Sequence, residues 1–200
     1  MDNDRLKEQV NFIVEADNLK KIYRRNYLND GSRFENDAEH SWHLGLMSLL
    51  LFEYAEGKDS LDLLRVLKMV LIHDIVENDA GDTYCYDDFS AEEKHQREQK
   101  AAERLFSLLP VDQAGEFKNI WEEFEEGKSP EARFAAALDR FQPLLLNYIS
   151  GGKSWREHGV TREQVIQRNE RIQDGAPELW DFVQGLIEDA VEKGFLNTEQ

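Results

Sequence analysis

Val66-Leu67-Lys68-Met69-Val70-Leu71-Ile72-His73-Asp74-Ile75-Val76-Glu77 is an apolar run with a histidine and an aspartate set side by side near its end. A stretch this apolar reads as a buried helix, and ionisable groups inside one are costly unless something compensates them. A metal ion does so economically, because it supplies the positive charge the carboxylate lacks and accepts the imidazole lone pair. The reading then turns on whether further ligands lie elsewhere in the chain.

They lie on both sides. His40, His43, Leu44, Met47, Leu51 and Tyr54 follow helical spacing and share one face, with His40 near the helix start. Downstream, Phe134-Ala135-Ala136-Ala137-Leu138-Asp139-Arg140-Phe141 is a second apolar helix with an acid embedded in it. Glu77 follows His73 by four and projects from the same side one turn on. Two imidazoles and two carboxylates on three core helices make a site for a divalent first-row metal with positions left for water. His43 reads as a packing residue or a hydrogen-bonding neighbour of the ligands.

The remaining sequence is helical almost throughout, with four prolines and no convincing alternating strands. Helices are expected over about 3–22, 38–56 (capped by Asn36 or Asp37) and 60–78. Ser90-Ala91-Glu92-Glu93 is a capping box for a charged helix ending before Pro110. Further helices are expected over 112–126, from Ser129-Pro130 to about 149, after the capping box Thr161-Arg162-Glu163-Gln164, and from Pro177 to Gly194. The stretches 23–36, 79–89 and 150–160 read as irregular rims. Trp155, in the last of them, reads as core. No repeat or linker appears, so the expectation is one all-α domain over 1–200, with a metal-site core over about 22–150 and a C-terminal extension over 151–200.

The 200 residues carry 24 basic and 41 acidic side chains, a formal charge of −17. Such a surface repels nucleic acid polymers, while a small anion can still bind at a metal that reverses the local sign. Cys85 is the only cysteine, which excludes an intrachain disulfide and a thiolate zinc cluster. The polar start and the shortness of the Leu44–Phe52 apolar run lead to the expectation of a cytoplasmic protein with no membrane partner.

Arg25, Arg33, Glu35-Asn36-Asp37-Ala38-Glu39-His40-Ser41, His73-Asp74-Ile75-Val76-Glu77, Gly81-Asp82 and the distant Asp139 resemble the HD-domain metal-dependent phosphohydrolases. Within them, they resemble the branch that contains the 5′-deoxynucleotidases. The resemblance implies a compact helical HD-domain bundle in which His40, His73, Asp74 and Asp139 hold one divalent ion (Mn, Co, Fe, Ni, Zn or Mg). It implies that Glu77 activates or positions the attacking water or protonates the leaving group, and that Asp82 lies beside the substrate sugar or the attacking water. It further implies that Arg25 and Arg33 hold phosphate oxygens, as a guanidinium fork suits, and that the protein is a homodimer. The apolar C-terminal helix around Leu179, Trp180, Phe182, Val183 and Leu186 gives that homodimer a surface.

The expected function is thus a 5′-nucleotidase acting on small nucleoside monophosphates through a metal-activated water. Asn26 follows Arg25 where the characterised deoxynucleotidases have an aromatic residue, so the sugar preference is open. Glu77-Asn78 lacks the acidic pair of the guanosine-polyphosphate hydrolases. The other histidines, His43, His95 and His158, do not supply the extra ligands of binuclear HD phosphodiesterases. Two alternatives stand beside this reading: hydrolysis of a nucleotide diester or pyrophosphate, and a metal-stabilised scaffold that binds nucleotides without turnover.

Overall fold

A computed structural model describes residues 3–81 and 91–198. Helices dominate it: α1 (Asn3–Ala16), α2 (Asp37–Leu51), α3 (Leu63–Ile72), α4 (Glu77–Ala80), α5 (Ala91–Phe106), α6 (Val111–Glu126), α7 (Pro130–Ile149), α8 (Lys153–His158), α9 (Arg162–Asn169) and α10 (Pro177–Glu192). The all-α expectation holds, with one addition inside the stretch read as irregular. β1 (Tyr23–Tyr27) and β2 (Phe34–Asn36) form a small antiparallel hairpin. Gly31, at φ +70°, and the Leu28–Arg33 backbone bond close its turn. Three to five residues are too few for alternation to declare itself in sequence, and the pairing partner lies outside the local window.

The helix starts follow local chemistry. Asn36 accepts the Glu39 amide at 3.0 Å while the Glu39 side chain returns to the Asn36 amide, a complete capping box. Ser129 caps α7 ahead of Pro130, and Thr161 and Gln164 form the expected box before α9. The Ser90 box lies outside the described residues. The expected helix over 60–78 is instead three pieces: α3, a 3-10 turn over His73–Val76, and α4. No glycine or proline marks the change. The β-branched pair Ile75-Val76 weakens the α conformation there.

Helices α2, α3 and α7 pack against one another. Leu44, Val66, Met69, Val70, Phe134 and Leu138 fill the space between them. The C-terminal residues belong to that same buried cluster: Trp155, Val165, Ile172 and Val183 are all interior. Gly175 shows how closely the tail approaches α7. A Cβ at that position would lie 2.3 Å from the Arg133 carbonyl oxygen, so only glycine fits. Helix α10 turns Leu179, Trp180 and Val183 inward, and Phe182 is the large apolar side chain it exposes. The surface expected to serve a dimer is therefore largely used by the fold itself.

Candidate metal centre

Each element of the α2–α3–α7 core delivers one part of the site. The capping box fixes where α2 begins, and His40 stands in its first turn, fully buried. The 3-10 turn after α3 presents His73 and Asp74. Helix α7 carries Asp139 from the opposite side. His40 Nε2 lies 3.0 Å from Asp139 Oδ1 and 3.9 Å from Asp74 Oδ2. His73 Nε2 lies 3.1 Å from Asp74 Oδ1 and 3.7 Å from Asp139 Oδ1. Donor atoms of His40, His73 and Asp74 sit within 4.8 Å of one another. The structure brings together all four residues named as ligands from sequence.

The two imidazoles face carboxylates in a way that calls for a cation between them. His73 Nδ1 donates to the Val70 carbonyl at 3.1 Å, while its buried Nε2 has no hydrogen-bond partner. A lone pair on that nitrogen directed at two carboxylates is repulsive, and a positive charge at the centre relieves it. The ionisation of the groups says the same. Burial alone would depress His73, but Asp74 and Asp139 override it and push the imidazole up to about 9. Burial would raise Asp139, yet His40 and His73 hold it well below the usual carboxylate range. His40 is depressed by burial and by Arg24, against the pull of Asp139 and Asp74. Two nitrogens and two carboxylates fit a divalent first-row ion.

Glu77 is buried as well. It lies near Asp74, three residues back, because a 3-10 turn eclipses positions i and i+3. Oxygens of Asp74, Glu77 and Asp37 lie within 4.8 Å of one another. Asp82 lies outside the described residues. The arginine that reaches the cluster is Arg24, not Arg25: its Nη1 donates to Asp74 Oδ2 at 2.8 Å and to Asp37 Oδ1 at 3.3 Å. Strand alternation explains this. Arg24 and Asn26 face inward from β1, and Arg25 points outward and is exposed. Arg33 makes a two-pronged bond to Glu39 at 2.8 and 2.6 Å, which ties the hairpin to the cap of α2. Asn26 donates to the Pro143 carbonyl at 3.1 Å and fastens β1 to α7.

Beyond His40, His73, Asp74 and Asp139 lies a polar layer in which the sequence marks His43 as a hydrogen-bonding neighbour but does not single out Gln142. Gln142 is fully buried one turn after Asp139 and contacts His40, Glu35 and His43. Burial pushes Glu35 up to about 7, with Arg24 and the Gln142 amide pulling the other way. The available signal was Gln142 itself, an amide in the apolar run from Phe141 to Leu146, at i+3 from a ligand. For Arg24 the signal was the short strand, which has to be recognised before the inward arginine can be chosen.

The HD domain family model matches residues 16–180. The chain belongs to the HD domain family. Among curated HD relatives, the human 5′-deoxynucleotidase HDDC2 is 30% identical over 137 residues. That match takes in 68% of this chain and 65% of the human protein, so it spans just under two thirds of the relative's length. The Xenopus laevis protein of the same name is 29% identical over 169 residues, covering 84% of this chain and 76% of its own. A crystal structure from Magnetospirillum magnetotacticum, described as a predicted metal-dependent phosphohydrolase, superposes with a TM-score of 0.92 at 49% identity. It covers 96% of both chains. The HD domain-containing protein YGK1 superposes at 0.61 with 19% identity and so shares the fold.

Proposed function

We propose that this HD domain is a one-metal phosphohydrolase that releases phosphate from a nucleoside 5′-monophosphate. The observation that carries the reading is the close convergence of buried His40, His73 and Asp74 with half-buried Asp139, imidazole nitrogens turned toward carboxylates. The 5′-deoxynucleotidase names of the relatives support the substrate class. Those four residues would hold the ion, which supplies Lewis acidity and a lowered pKa for a bound water.

The chain's own groups do the rest. Arg24, facing the cluster from β1, is the arginine placed to hold a phosphate oxygen in exchange for its bonds to Asp37 and Asp74. Arg25 and Arg33 belong to the rim in this reading. Glu77, buried near Asp74, hands a proton to the departing sugar oxygen. The protein works as one domain over 1–200, in the cytoplasm, with a nucleotide and no polymeric nucleic acid as its partner. Among the described residues, no helix is long and apolar enough to cross a membrane. The homodimer expected from the resemblance uses α2, where Trp42, Leu46, Leu49 and Leu50 form an exposed apolar stripe.

The test is phosphate release from a panel of ribo- and deoxyribonucleoside monophosphates, after chelation and refilling with each ion separately. Turnover of monophosphates without turnover of diesters supports the proposal. Turnover of diesters or pyrophosphates alone, or of nothing, refutes it.

A further inference from the structure

We infer that Gln142 is a positioning residue that sets the tautomer of His40, and that Glu35 sets the orientation of Gln142. The inference rests on the metal reading of the cluster and extends it inward. The Gln142 side chain is completely buried, in the middle of α7, and lies three residues beyond Asp139 on the same face. Its amide nitrogen donates to Glu35 Oε1 at 2.7 Å and to His43 Nδ1 at 3.2 Å. Both amide hydrogens are then used, and each goes to an acceptor.

What remains of the amide is its oxygen, which faces His40 Nδ1 at 3.0 Å. An amide oxygen only accepts, so His40 Nδ1 carries the hydrogen. The other ring nitrogen, Nε2, faces Asp139 Oδ1 at 3.0 Å and donates to it when no ion is bound; an ion would take the place of that hydrogen, leaving the Nε2 lone pair for the ion and the Nδ1 hydrogen on Gln142. That is the tautomer a metal ion needs at Nε2. With the amide turned over, its NH2 would face His40 Nδ1, and Nε2 would carry the hydrogen instead.

As a carboxylate, which only accepts, Glu35 blocks the turned-over arrangement. It lies on β2, 3% exposed, and its Oε1 would meet the amide oxygen. The hairpin thereby takes part in the metal site without offering a ligand. Glu35 stands on one element, Gln142 on a second and His40 on a third, so the relay also couples the placement of β2, α7 and α2. Among the described residues the next acceptor near His40 Nδ1 is Glu35 Oε2, 3.8 Å away.

The test compares the parent protein with Gln142→Met and with the exchange Glu35→Gln/Gln142→Glu. Methionine matches the volume and removes the acceptor. The exchange keeps one amide and one carboxylate and again places an oxygen against His40 Nδ1. Zn2+ affinity is measured by chelator competition, and the His40 Nδ1–H signal is followed by 15N–1H spectroscopy of the zinc-loaded proteins. Gln142→Met is expected to bind zinc roughly 10- to 100-fold more weakly, with fast solvent exchange at Nδ1–H. The exchange variant is expected to recover most of the affinity and a protected Nδ1–H.

Gln142→Met binding zinc as tightly as the parent overturns the inference, as does a parent in which His40 ligates through Nδ1. Should Gln142→Met not fold, a folded exchange variant that fails to recover affinity overturns it equally. A parent that binds no zinc refutes the metal reading itself, which separates the two failures.

Discussion

At the scale of single residues, the site is a set of imidazoles and carboxylates whose charges are resolved by a cation. In the metal-free protein that cation is a proton. His73 is pushed up to about 9 from 6.5, so its contribution to stability is fully present below pH 6.5 and is lost as pH rises through 9. The melting temperature of the chelated protein should fall between about pH 6.5 and 9, and metal loading near pH 7 should release a proton. Calorimetric titration in two buffers of different ionisation enthalpy reads that release, and its absence contradicts the assignment. If Glu77 moves the proton, as proposed, and His40, His73, Asp74 and Asp139 hold the ion, Glu77→Gln should abolish turnover with metal content and melting temperature unchanged. Intact turnover in that variant removes Glu77 from the chemistry. His73-Asp74 and Asp139 were legible in the sequence because each is a polar group in an apolar helical run, and His40 because it shares a helical face with Leu44, Met47 and Leu51; both are local signals. Arg24 and Gln142 were not. The first depends on which face of β1 looks inward, and the second on an acceptor contributed from β2.

At the scale of elements, the helix starts carry their own instructions. Asn36, Ser129 and Thr161 cap the helices that the sequence assigns to them. Asn36→Ala should cost about 1 kcal/mol in denaturant unfolding, and it should also weaken metal binding, since the cap places His40. Loss of stability without any loss of affinity would show that His40 is held by α7 alone. The break after Ile72 was illegible for a physical reason. A 3-10 turn and an α-helix draw on the same residues, and the difference shows only in which neighbours eclipse. Its consequence is the nearness of Glu77 to Asp74. The tail is fixed to α7 through Gly175, so Gly175→Ala should lose roughly 1–3 kcal/mol by overpacking against the Arg133 backbone. A neutral substitution there would mean that the tail packs elsewhere.

At the scale of the whole molecule, a chain of net charge −17 encloses a small centre that demands positive charge. The hydrophobic residues of the C-terminal stretch complete the core around that centre, and α10 turns most of its apolar residues inward. The sequence shows that α10 is apolar but not which way it faces, since burial against its own core and burial against a second copy leave the same pattern. The exposed stripe on α2 is the dimer surface proposed above, and Trp42→Glu should convert a dimer to a monomer by light scattering. A parent protein that is already monomeric contradicts the dimer. The central claim is that His40, His73, Asp74 and Asp139 share one ion, and X-ray absorption at the cobalt edge of protein refilled with one equivalent of Co2+ tests it most directly. The account predicts two imidazoles with oxygen donors at about 2.0–2.2 Å. A spectrum without imidazole scattering, or a protein that takes up no cobalt, would contradict it.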